Sequence, residues 1–198
     1  MNLSNIKLWL QLLAPYIAML IFWCWLENAI LAIAVYHVQC LCWSWRSFTQ
    51  FKRFKFKNIL LVLPTLLAGI IFYYLIPYMT KMELGQWMLD YKISQTALLW
   101  LIPYFGLIHP FIEQAHWDAL RQKTWLAHGL FAGYHLIILG SLLDWPWLLA
   151  CFIVLTGTSI LWKHWQKQTG SLWIPALSHI FADLGIIIAA YLFVYNNF

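Results

Sequence analysis

Between Leu8 and Trp45 the chain holds one formally charged residue, Glu27, and the stretches 58–79 and 145–162 hold none. A helix needs about 20 mostly apolar residues to cross a hydrocarbon core of roughly 30 Å. In that solvent every backbone N–H and C=O must be paired within the chain, which leaves helices as the spanning element for runs of this kind. Only 10% of the residues are charged and 63% are apolar, whereas a soluble domain carries about 25% charged residues. A mean hydropathy of +0.71 agrees. The expected class is an all-α, polytopic transmembrane helical bundle, and the excluded class is a water-soluble domain.

The apolar runs predict spans at about 8–26, 28–45, 58–79, 95–121, 124–142, 146–162 and 171–195. The fourth is expected to break at Pro103 and again at His109-Pro110, where Pro110 suits the first turn of a new helix because its missing N–H costs nothing there. Pro64 and Pro77 are expected kinks. The count is thus about seven spans, or eight with the broken one taken as two. Residues 1–198 show no internal repeat and read as one integral membrane domain. The first run lacks a small-residue cleavage site and continues into a second apolar run, so it is expected to be a span and not a cleaved signal. Cys24, Cys40, Cys42 and Cys151 all sit in apolar runs without metal-ligand spacing, and buried free thiols are expected.

The net charge of +5 does not point to nucleic acid, because the basic residues gather in a few loops. Arg46, Lys52, Arg53, Lys55 and Lys57 alternate with phenylalanines, a pattern suited to an interfacial segment on anionic lipid. With Lys7 on the cytoplasmic side, the loops at 46–57, 121–123 and 163–170 join it there, bringing ten of the twelve basic residues together. The positive-inside rule then predicts a cytoplasmic N-terminus and an outer C-terminus.

Ionisable residues inside spans cost a few kcal/mol each and normally face a cavity or a partner. His109, Glu113 and His116 fall at i, i+4 and i+7, one helical face. Glu113 lies eight residues before Arg121, His135 eleven after Thr124 and His179 eight after Ser171. At 1.5 Å per residue those depths are roughly 12, 16 and 12 Å from one membrane face. Asp183 follows one turn beyond His179. Four such groups in adjacent layers are an expensive way to glue helices together. His37 and His164 read as ordinary structural histidines, and His109, His116 and His128 as intermediate cases. A carboxylate with a histidine can activate water while further polar groups hold an oxyanion. Glu113, His135 and His179 offer the alternative of a zinc site with an open position. Paired histidines as haem ligands lack a matching pair elsewhere in the chain.

The motifs resemble those of the CPBP intramembrane endopeptidases, the Abi-like group that includes the type II CAAX prenyl endopeptidase and bacterial bacteriocin-processing and immunity proteins. The family pattern is Glu-Glu-x-x-x-Arg, Phe-x-x-x-His and His-x-x-x-Asn or Asp. Phe131 to His135 matches the second motif, and His179 to Asp183 the third, following the approach Gly170 to Ser178. The first is Glu113-Gln114-Ala115-His116-Trp117-Asp118, with Gln114 at the second Glu and Asp118 at the Arg. Arg121 is placed to pair with Asp118. The resemblance covers about 96–195 and implies an endopeptidase of a bacterial plasma membrane, acting on a membrane-associated peptide or protein. It implies Glu113 as general base with His135 orienting the water, and His179 and Asp183 on the oxyanion side, a role Asp183 fills when protonated. The competing classes are a non-catalytic peptide-binding immunity or assembly factor and a proton-coupled transporter, which would show paired broken helices in a repeat.

Overall fold

The computed structural model describes residues 3–52, 54 and 56–195, and every regular element among them is helical. Helix α1 (Leu3–Ala18) runs into a wider π-wound segment, Met19–Trp25. Asn28 then starts α2 (Ala29–Ser44), its side chain accepting from Leu31 N–H at 3.1 Å. Two 3₁₀ segments, Trp45–Gln50 and Phe56–Leu66, lead into α3 (Leu67–Met79). The remaining helices are α4 (Leu84–Asp90), α5 (Gln95–Leu107), α6 (His109–Arg121), α7 (Leu126–Leu139), α8 (Trp145–Thr169) and α9 (Trp173–Tyr195).

Four helical stretches are long and apolar enough to cross a membrane: Asn5–Trp25, Phe56–Met79, Trp145–Thr169 and Trp173–Tyr195. The pair α5 and α6, bent by 48° at Ile108, makes a fifth. Helices α2 and α7, at 16 and 14 residues, reach only about 24 and 21 Å. By length and composition the described residues therefore give four to five spans. The outward faces are strongly apolar, with Trp100 75% and Tyr74 69% exposed, far more apolar surface than a soluble protein leaves to water. An integral membrane protein fits these helices.

Several local expectations change. The fourth span breaks once, because Pro110 cannot donate to the preceding turn, whereas Pro103 lies inside α5 without ending it. The loop expected at 163–170 is the last two turns of α8, which stops only where Gly170 adopts a left-handed φ of 68°. The segment 80–95 contains α4, seated through Leu84, Trp87 and Met88. Of the cysteines, all free, only Cys40 is buried; Cys24 and Cys42 are exposed on the apolar outside and Cys151 is half-buried. In the basic segment, Arg53 and Lys55 lie outside the described residues. Its Phe51 ring packs on Phe111 and Trp173, at 5.2 and 5.6 Å.

The loops collect at two ends of the bundle. At one, Leu172 N–H donates to Gln50 O at 3.1 Å and Gln122 to Gln166 at 3.3 Å. At the other, Lys81 N–H donates to Leu142 O at 2.9 Å and Ala29 N–H to Tyr91 O at 3.1 Å. The basic loops thus share one end.

Helix α9 is central, packed against α3, α5, α6 and α8. Against α3 it packs glycine on glycine: a Cβ at Gly69 would strike the backbone of Gly185, and one at Gly185 would come within 2.9 Å of Gly69 N. Backbone cannot step aside as a side chain can. Gly69→Ala should therefore destabilise the solubilised protein by about 1–3 kcal/mol, the cost of overpacking. Gly157→Ala, where a Cβ meets nothing within 4 Å, should be neutral or stabilising because alanine is the better helix former. Thermal unfolding in detergent compares the two, and equal melting would refute the close-packing account.

Candidate functional site

Helix α6 begins with a bend, and the bend aims its first turns at α2, α7 and α9. Glu113 sits 1% exposed where these helices meet. Its two oxygens have different surroundings. Oε1 accepts hydrogen bonds from Tyr36 of α2 and Tyr134 of α7, and Trp117 Nε1 donates to the Tyr36 hydroxyl at 2.9 Å. Oε2 is buried without a hydrogen-bond donor. It faces His109 Nε2 at 3.5 Å and His179 Nε2 at 3.6 Å.

Asp183 completes the group. Its Oδ2 lies 3.5 Å from His109 Nε2 and 3.2 Å from His179 Nε2, and is itself buried without a hydrogen bond. The imidazoles of His109 and His179 thus each face both carboxylates. His179 is clamped by Trp162, stacked at 4.7 Å, whose indole N–H in turn donates to Ser178 at 3.0 Å. His109 is held from behind by His37, Nδ1 to Nε2 at 2.7 Å, and His37 by the Tyr104 hydroxyl at 2.7 Å.

Of the four residues expected from the sequence, His135, His179 and Asp183 line one cavity, and Glu113 is buried behind His109 and His179. Glu113 and Asp183 each face His179, at 3.6 and 3.2 Å. His135 binds the Phe131 carbonyl through Nδ1 at 2.9 Å, the ordinary tie within its own helix turn. That fixes the proton on Nδ1 and leaves Nε2 with the lone pair. His135 lines a cavity of about 560 Å³ together with His109, His179 and Asp183. Most of the remaining wall is apolar, formed by residues such as Phe72, Leu98, Phe105 and Ile187.

The face expected for His109, Glu113 and His116 divides. His109 turns to Glu113, whereas His116 turns to Ser44 of α2, at 2.9 Å. His128 likewise bonds Ser159, at 3.0 Å. Arg121 does not bond Asp118 as expected; its guanidinium donates to Gln114 at 2.7 Å and Ser159 at 3.0 Å. For metal binding, the expected set Glu113, His135 and His179 is also redrawn. The donor atoms that converge within 4.8 Å are those of His109, Glu113 and His179.

Sequence reasoning set His37 aside as an ordinary structural histidine, whereas it backs His109, and it passed over Tyr36 and Tyr134. Depth would have found the first: His37 lies eight residues before Trp45, the same roughly 12 Å as Glu113. The tyrosines are neighbours of histidines already in that slab. No protein-family model, curated protein or solved structure matches this chain.

Proposed function

We propose that the protein is an intramembrane endopeptidase of the CPBP type, cleaving a membrane-associated peptide or protein near the cytoplasmic leaflet. In this reading the chain makes seven spans, or eight with α5 and α6 separate, the shorter α2 and α7 included, in a bacterial plasma membrane. The basic end of the bundle faces the cytoplasm, with the N-terminus there and the C-terminus outside. The observation that carries the proposal is the pairing of a bare carboxylate oxygen, Glu113 Oε2, with two imidazoles and a second carboxylate beside an apolar cavity.

Each group has a chemical task. Glu113 Oε1 is held by two tyrosines, so the carboxylate cannot rotate and Oε2 remains as the base. It takes a proton from water as the water oxygen bonds to the scissile carbonyl carbon, and returns it to the departing amine as the C–N bond breaks. His135 Nε2, with its lone pair, accepts from the same water and orients it. His179 and Asp183 lie on the opposite side of Glu113 from the tyrosines, where donors stabilise the oxyanion. The apolar wall accommodates the hydrophobic flank of a substrate drawn from the bilayer.

The test uses the full chain in lipid vesicles with a mixture of membrane-associated peptides, the products read by mass spectrometry. His135→Ala should abolish cleavage while membrane insertion and abundance stay normal. Unchanged cleavage in both His135→Ala and Glu113→Gln would remove the catalytic reading. The departures at Gln114 and Asp118 favour, as second reading, a family member that binds a peptide without cutting it. Peptide retained intact by the wild type would select that alternative.

A further inference from the structure

A second pocket lies at the end of the bundle that carries the basic loops, apart from the carboxylate and histidine site. Its volume is about 340 Å³, within the roughly 300–1,000 Å³ of small-molecule sites. Its side chains are polar without exception: Gln50, Lys52, Asp118, Gln122, Gln166 and Lys167. The larger cavity, by contrast, is walled mostly by hydrocarbon. A polar chamber in so apolar a chain calls for a polar occupant.

Asp118 is the group that most needs one. It is 3% exposed, and a buried carboxylate is normally paired or hydrogen-bonded. Among the described residues its carboxylate has one hydrogen bond, from Gln122 Nε2 at 3.4 Å, well beyond the roughly 2.7–2.9 Å of a charge-assisted bond. Gln122 Nε2 is also shared with Gln166 Oε1, at 3.3 Å. Neighbouring cations are committed elsewhere. The Arg121 guanidinium donates to Gln114 and Ser159, and the Lys163 ammonium donates to the Arg121 carbonyl. Asp118 thus lines the pocket with acceptor capacity to spare.

The rim has the opposite sign, since Lys52 and Lys167 stand exposed there. A bare cation would share the pocket with two ammonium groups, and a bare anion would share it with the carboxylate. A zwitterion suits both, with its N–H donors reaching inward and its anion at the mouth. The mouth is built rather than incidental: Leu172 N–H donates to Gln50 O at 3.1 Å and Ser171 Oγ to Lys52 O at 3.3 Å. Phe51, next to Lys52, packs on Phe111 and Trp173, and aromatic and basic residues together mark headgroup depth.

We propose that this pocket binds a phosphoethanolamine group, its ammonium hydrogen-bonded to Asp118 and its phosphate held by Lys52 and Lys167. In a phospholipid the ammonium is the tip and the phosphate carries the chains, so entry tip-first leaves the chains at the mouth. Gln50, Gln122 and Gln166 offer neutral donors and acceptors to the rest of the group. The site is separate from the peptide-cleaving site and independent of the hydrolase reading. It requires only that the basic end of the bundle lie at a headgroup layer, on either face of the membrane. A zwitterion there satisfies Asp118 without adding net charge and fastens α6, α8 and the 46–57 segment to one molecule.

The test is native mass spectrometry of the full-length, detergent-solubilised chain given phosphatidylethanolamine, phosphatidylcholine or phosphatidylglycerol with the same acyl chains. Choline's methyl groups remove the N–H donors, and glycerol removes the cation. The wild type should retain phosphatidylethanolamine about 10-fold more strongly than either, the worth of a charge-assisted hydrogen bond. Asp118→Asn keeps the side chain's shape and should lower that retention to the level of phosphatidylcholine. Lys167→Gln, at an exposed position, should weaken it several-fold, and decides the question if Asp118→Asn fails to fold. Equal retention of the three lipids by the wild type, or a preference that survives in the folded variants, overturns the site. Glycerophosphoethanolamine, the same headgroup without chains, separates the two sources. Displacement of the lipid only by a large excess identifies the membrane lipid as the ligand, and displacement at equal concentration identifies the soluble compound; either supports the site.

Discussion

Glu113→Gln is expected to lower peptide cleavage by about 10³-fold or more, general acid–base catalysis by a positioned group being worth roughly 10²–10⁴-fold. Glutamine is the informative replacement because it keeps the shape of the side chain. Its carbonyl oxygen can still accept from Tyr36 and Tyr134, which hold Oε1 in the wild type. The amide nitrogen then stands where Oε2 faces His109 and His179. That nitrogen can neither take a proton from water nor bind a cation. Removing the charge also relieves the cost of a buried carboxylate, so the variant should insert and melt like the wild type or slightly above it. The measurement is cleavage in vesicles beside thermal unfolding in detergent. A large loss of activity with unchanged melting assigns the effect to chemistry, whereas retention of even a tenth of the wild-type rate would contradict the role given to Glu113.

The site was partly legible because helix rise is constant while helix rotation is not. Counting residues from the basic loops put Glu113, His135 and His179 in one slab, and three of the expected four residues do meet: Glu113, His179 and Asp183. The same count applied to His109, twelve residues before Arg121, matches Asp183, twelve after Ser171, and those two side chains lie 3.5 Å apart. What counting cannot supply is azimuth. The π-wound segment at Met19–Trp25 and the 48° bend at Ile108 reset which faces α2 and α6 present, and neither angle follows from hydropathy. So His37 belongs behind His109, and His116 leaves the face it shares by spacing. Four to five of the expected spans were legible for a simpler reason, since long uncharged runs have few other solutions. Their ends were less so: nothing in Lys163 to Thr169 forbids helix, and α8 continues until Gly170.

Arg121→Ala should be among the most destabilising single changes in the chain, at about 3 kcal/mol. The residue is 1% exposed, and its guanidinium ties two helices together, donating to Gln114 two turns back in α6 and to Ser159 in α8. Truncation leaves the Gln114 carbonyl oxygen buried without a donor, costing about 1–3 kcal/mol, and a cavity where the side chain lay, which adds to it. Ser159 loses less, since it keeps His128 at 3.0 Å. Arg121→Met fills most of the space and isolates the hydrogen-bonding part, so it should cost less than alanine. Arg121→Lys should fall between them, because one ammonium cannot serve both partners as a guanidinium fork does. A cycle of Gln114→Leu and Arg121→Met, read by thermal unfolding in detergent, should show coupling of about 1–2 kcal/mol. Additive effects would mean that the two residues do not act as a pair. The guanidinium lies 6.0 Å from the Trp162 ring, which carries His179 on its face. Loss of Arg121 should therefore loosen His179 as well, lowering peptide cleavage in Arg121→Ala more than in Arg121→Met.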